Sequence, residues 1–134
     1  MCIADELFHA AYKGNFATVK RLVAEGADVN ATDSAGATPL EWAAGTSHLK
    51  AKGQMDVVKF LIAKGCDVNA KRHDGRTTLF GPAFNGNIEM VKFFVSQGAE
   101  VNTIDENGRT PLSEAACNGH SEVVEFLKQN GARE

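Results

Sequence analysis

One segment recurs four times along the chain, and two independent series of glycines mark it. Gly26, Gly65, Gly98 and Gly131 are spaced 39, 33 and 33 residues apart, and Gly14, Gly53, Gly86 and Gly119 repeat the same intervals. The last three copies overlay directly. They run from Gly36 through Asn69, from Gly75 through Asn102 and from Gly108 through Ala132. Agreement between two series is hard to produce by chance. A period of this size is the signature of an all-α solenoid of stacked units, each too small to bury its apolar face alone. The functional question therefore moves from an enclosed pocket to a repeated surface.

Composition narrows the classes further. At 134 residues the chain is long enough for one domain with a real core, and 43% hydrophobic residues argue against disorder. No apolar run approaches the roughly 18 residues that a membrane span needs. The start, Met1 to Glu6, lacks the basic and apolar regions of a secretory signal. Fourteen basic against seventeen acidic residues leave a net charge of −3, with no footprint for nucleic acid or an anionic membrane. Cys2, Cys66 and Cys117 are odd in number and lie far apart, as reduced thiols of an intracellular protein would. The expected setting is cytoplasmic, with the nucleus also open.

A single copy reads as two helices and a projecting loop. In the last one, Thr110 caps the backbone N–H groups of a helix whose first turn accepts Pro111. Ala115 and Ala116 let a neighbour approach closely, and Gly119 stops the helix. A second helix begins near Ser121, carries Val123, Val124 and Leu127 at helical spacing, and ends at Gly131. The stretches 33–36, 72–75 and 105–108 that follow earlier copies are turn formers.

At this period, Thr-Pro-Leu followed by Ala-Ala closely resembles the ankyrin repeat. The matching residues include Gly36, Thr38-Pro39-Leu40, Ala43-Ala44, Gly53, Val57-Val58, Leu61, Gly65 and Asp67-Val68-Asn69-Ala70. The resemblance covers about residues 5 to 133. It implies one ankyrin-repeat domain, with repeats at about 5–32, 33–71, 72–104 and 105–134. The outer copies differ as caps would. Asp5 stands as N-cap of the first, and Lys128 replaces the apolar Val23, Ile62 and Val95 in the last. A complete four-repeat array is the expectation.

Two copies depart from the pattern. The second holds six extra residues between Ala44 and Gly53, read either as a tolerated loop insertion or as a finger offering His48, Lys50 and Lys52 to a partner. In the third, Thr78 replaces the usual proline and Pro82 lies inside the expected first helix. A kinked, shortened or restarted helix should follow, either without function or presenting Phe84 beside Asn85. The lone Trp42 reads as inter-repeat core ahead of exposed anchor.

Catalytic and metal signals are absent. No phosphate loop, nucleophile elbow or zinc motif occurs, and His9, His48, His73 and His120 fall in different copies. Neither an enzyme nor a cofactor is expected. The resemblance instead implies a protein-binding module, an adaptor, inhibitor or regulatory subunit that uses the concave face of hairpin tips and first helices. A structural or self-associating segment is the alternative.

The expected contact set takes Thr32, Asp33, Ser34, Ala35 and Ala37 on one tip, and Lys71, Arg72, His73, Asp74 and Arg76 on the middle tip. Ile104, Glu106, Asn107 and Arg109 form the last tip; Gly45-Thr46, Phe84-Asn85 and Cys117-Asn118 end the first helices. The partner is expected to be a protein or peptide with an acidic patch, bound by a monomer, without nucleic acid or membrane. The family's hairpin asparagines are also substrates of an asparagine hydroxylase, with a leucine eight residues upstream. Asn30 with Leu22 and Asn69 with Leu61 match; Asn102 has Phe94 there. A loop-shaping role is the plainer reading.

Overall fold

The computed structural model describes residues 3–44 and 52–133. Eight helices and no strand occur among them: α1 (Ile3–Lys13), α2 (Phe16–Ala24), α3 (Pro39–Ala44), α4 (Lys52–Ala63), α5 (Phe80–Asn85), α6 (Ile88–Ser96), α7 (Pro111–Cys117) and α8 (Ser121–Gln129). None of these helices is long and apolar enough to cross a membrane. The chain divides into two units, Met1–Asp67 and Val68–Glu134, each holding two copies of the segment.

Within the first unit α1 packs on α2 and α3, and α4 packs on α2 and α3. Leu7, Val19, Leu22, Leu40, Val57 and Leu61 are fully buried there. Within the second unit α7 packs on α5 and α8, and α6 lies against α8. Leu79, Phe80, Val91, Phe94, Ala115 and Leu127 form that core. Each fully buried aliphatic or aromatic side chain contributes about 1.5–3 kcal/mol, so a few such positions per copy outweigh weak helix propensity in helices this short.

Both glycine series work as helix stops, with one exception. After α2, α4, α6 and α8 the chain turns through Gly26, Gly65, Gly98 and Gly131 at φ between 91° and 103°. The next N–H then returns to the helix, as from Ala27 to the Leu22 carbonyl and from Ala132 to that of Leu127. Gly14, Gly86 and Gly119 stop first helices at φ of 70° to 74°. Gly53 does not: it lies inside α4, which starts at Lys52 and is twelve residues long against nine for α2, α6 and α8. Relative to its glycine, α4 thus begins about one turn earlier than α2, α6 and α8 do.

Two further expectations are revised. α1 already runs from Ile3, so Asp5 lies in its first turn, favourable to the helix dipole, and is not its N-cap. The third copy's first helix is shortened, as Pro82 suggested. A helix starting at Thr78 would need an N–H at residue 82 to bond the Thr78 carbonyl. Thr78 and Leu79 instead form a turn, and α5 begins at Phe80. Pro82 then sits in the first turn, where no N–H is required.

Inside each unit the hairpin asparagines bind the backbone that follows the next closing glycine. Asn30 Nδ2 donates to the Gly65 carbonyl at 3.2 Å while its Oδ1 accepts the Asp67 N–H at 3.2 Å. Asn69 makes the same pair with Gly98 and Glu100 at 3.0 and 2.8 Å, and Asn102 with Gly131 and Arg133 at 3.0 and 2.9 Å.

Candidate functional site

The loops preceding α3, α5 and α7 are each built on one carboxylate. In the first unit, the Asp33 N–H donates to the Ala37 carbonyl, closing the loop. Asp33 Oδ1 accepts the N–H groups of Ala35 and Ala37, each at 2.9 Å, and its Oδ2 accepts Trp42 Nε1–H at 2.9 Å. In the second unit, Asp105 Oδ1 likewise accepts the N–H groups of Asn107 and Arg109 at 2.9 Å. The middle loop has Arg72 at that register. There Asp74 takes over, accepting the Arg76 N–H at 3.0 Å and pairing with Arg72 at 3.4 Å. Asp33 and Asp74 therefore shape their loops before they can serve a partner. Ala37, expected as a contact, is buried because it closes the loop.

Arg76 is the largest revision. Expected as a freely presented cation, it turns inward over the Phe80 ring, 5.3 Å from the centroid. Its Nε donates to Asp105 Oδ2 and its Nη2 to Glu114 Oε1, both at 3.1 Å. The side chains of Asp105 and Glu114 are only 1% and 4% exposed. Burial by itself would raise the Asp105 pKa; the N–H bonds from Arg109 and Asn107, with Arg76 beside it, outweigh that and hold it below the ordinary carboxylate value. Arg109 approaches Glu114 Oε1 more loosely, at 3.5 Å, and its side chain stays 62% exposed. The two loops of this unit are also joined by backbone, the Glu106 N–H donating to the Asp74 carbonyl at 2.8 Å.

Among the described residues two of the four exposed large apolar side chains, Tyr12 and Phe84, stand at first-helix ends, while Ile3 opens α1 and Ile104 lies in the last loop. Phe84, on the last turn of α5, is 46% exposed. Its carbonyl oxygen accepts His120 Nε2–H at 2.9 Å, and the His120 ring lies so close to Gly86 that a Cβ there would collide with it. Glycine is thus required at position 86 twice, for its left-handed φ and for this contact. Asn85 is half-buried at the end of α5. On α7, Thr110 and Ser113 form a reciprocal capping box, and Asn118 Nδ2 donates to the Glu114 carbonyl at 2.8 Å. Cys117 and Asn118 are exposed.

One site residue escaped sequence reasoning. Tyr12 stands in the last turn of α1 at the register of Phe84 and Cys117 and is 40% exposed. Its carbonyl is held by Gln54 Nε2 at 2.7 Å, and Gln54 stands at the register of His120. The shared register was the signal that could have found it. Trp42, half-buried, packs its ring against Phe8 at 5.7 Å and Tyr12 at 6.0 Å, joining the first two copies.

The other expected contacts divide plainly. Thr32, Ser34, Ala35, Lys71, His73, Ile104, Glu106 and Asn107 are exposed, and Arg72 is half-buried. Gly45, Thr46, His48 and Lys50 lie outside the described residues, and Lys52 opens α4. Asn30 and Asn69 hold the backbone bonds described above. Burial pushes the Cys66 thiol up to about 11, and its Sγ–H donates to the Val29 carbonyl at 3.2 Å. No cluster of metal-binding side chains occurs among the described residues.

Comparison with known families agrees with this anatomy. A profile for ankyrin repeats in three copies matches residues 48–133, and one for ankyrin repeats in many copies matches residues 7–51. No curated protein sequence gives a significant match to the chain. The glycine stops and carboxylate-closed loops thus recur where the profiles place their repeats, and the chain belongs to the ankyrin-repeat family.

Proposed function

We propose that this chain binds a partner protein or peptide through the face carrying its hairpin loops and first-helix ends, and acts as an adaptor, inhibitor or regulatory subunit. Ankyrin repeats are in general protein-interaction modules and are typically not enzymes. The observation that carries the reading is Phe84, a large apolar side chain left exposed on a backbone that His120 and Gly86 hold fixed. An anchor of this kind loses little conformational entropy on binding. In the same unit, Lys71 and Arg109 supply exposed cations for an acidic patch on the partner, while Arg76 is held by Asp105 and Glu114. The protein acts as a monomer inside the cell.

The test starts by capturing partners from host extract on the immobilised chain and identifying them by mass spectrometry. Phe84→Ala should then speed dissociation roughly ten-fold or more. Lys71→Glu with Arg109→Glu should slow association and weaken its salt dependence. Parent-like binding by both variants, with loss on changes to the exposed faces of α6 and α8, would refute the assignment. Self-association in light scattering with no partner retained would favour the self-associating reading instead.

A further inference from the structure

We propose that the Tyr12–Trp42 pair of the first unit is a subsite for an arginine side chain of the bound partner. This deepens the protein-binding reading and rests on it. Trp42 has one polar group, its indole N–H, and Asp33 Oδ2 takes it at 2.9 Å. What the side chain offers outward is therefore π surface only. An anion bound to the N–H pushes electron density into the ring and strengthens its pull on a cation.

The buried Phe8 ring packs on the indole at 5.7 Å, while Tyr12 stands at 80° to it and is 40% exposed. Gln54 fixes the Tyr12 backbone and Asp33 fixes the indole, so both residues are positioned before any ligand arrives. Charge points the same way. The segments forming α1, α3 and the loop at 32–37 carry Asp5, Glu6, Asp33 and Glu41 against Lys13. Arginine fits better than lysine, because a planar, weakly hydrated guanidinium stacks on an aromatic face. The second unit has no equivalent, since Glu114 stands at the Trp42 register and already binds Arg76.

Trp42 is the only tryptophan, so intrinsic fluorescence reports on the site directly. The intact chain is titrated with a glycine-flanked tetra-arginine peptide and with its citrulline counterpart, which keeps the shape and loses the charge. A saturable emission change is expected with arginine and not with citrulline. Tyr12→Leu, which preserves the Gln54 bond to the backbone, should weaken it roughly three- to five-fold, and Tyr12→Phe should restore it. Equal response to citrulline, an unaffected Tyr12→Leu, or no saturation at millimolar peptide would overturn the proposal. Should Tyr12→Leu fail to fold, Tyr12→Phe and the citrulline comparison still decide. Failure here with Phe84→Ala still weakening the captured partner sinks only the subsite; a responsive subsite with an indifferent Phe84→Ala sinks the wider surface instead.

Discussion

Asp33 and Asp105 hold the same register in the two units and close their loops with the same backbone bonds, yet their outer oxygens meet different chemistry. In the first unit the donor is the indole of Trp42; in the second it is the guanidinium of Arg76, shared with Glu114 at the Trp42 register. One unit is thus pinned by an aromatic cluster and the other by a buried ionic one. A repeat scaffold fixes where a side chain stands, and the residue placed there decides whether the joint responds to charge. The consequence for function is direct: the aromatic joint leaves Tyr12 as an exposed ring surface, whereas the ionic joint consumes the cation expected to face a partner.

The largest effect should come from removing a whole neighbour. Deleting residues 108–134 strips α7 and α8 from the second unit and uncovers Met90, Val91 and Phe94. Because one repeat cannot bury its own face, cooperative unfolding of α5 and α6 should disappear. An unchanged melting temperature would refute the dependence on neighbours.

Breaking each joint comes next. Arg76→Met leaves Asp105 and Glu114 buried without their shared cation and should cost about 2–4 kcal/mol in denaturant unfolding. Trp42→Phe keeps most of the ring cluster and loses one hydrogen bond, for about 1–2 kcal/mol. Equal costs would erase the contrast between the units.

Acid should act on the ionic joint. The folded Asp105 carboxyl lies below its unfolded value, so its contribution is complete above about pH 4 and is lost as pH falls through the folded value. Asp105→Asn should flatten the acid limb of the stability curve; an unaltered limb would contradict the network.

The smallest effects concern the thiols. Cys66→Ala should cost about 0.5–1.5 kcal/mol and Cys117→Ser less than about 0.5 kcal/mol. In the folded protein Cys117 should alkylate readily and Cys66 resist, as intact mass will show, since burial keeps the Cys66 thiol protonated near neutral pH.

Much of this architecture was legible because it depends on local backbone chemistry. Glycine stops, the Thr110-Pro111 start and the shortened α5 each follow from what a few adjacent residues permit. Gly53 was not legible as a helix residue because a glycine at the right interval can also sit inside a helix, as it does one residue into α4. The inward turn of Arg76 was not legible, since it depends on carboxylates 29 and 38 residues away. Tyr12 was not legible because the first copy lacks the Thr-Pro-Leu signature that sets the register of a first helix.

Hydrogen–deuterium exchange of the chain, free and bound to its captured partner, reads the binding face segment by segment. New protection is expected at the loops 32–37, 71–76 and 103–109 and at the first-helix ends around Tyr12, Phe84 and Cys117. Protection confined to α2, α4, α6 and α8, with the loops exchanging as in the free protein, would contradict this binding face.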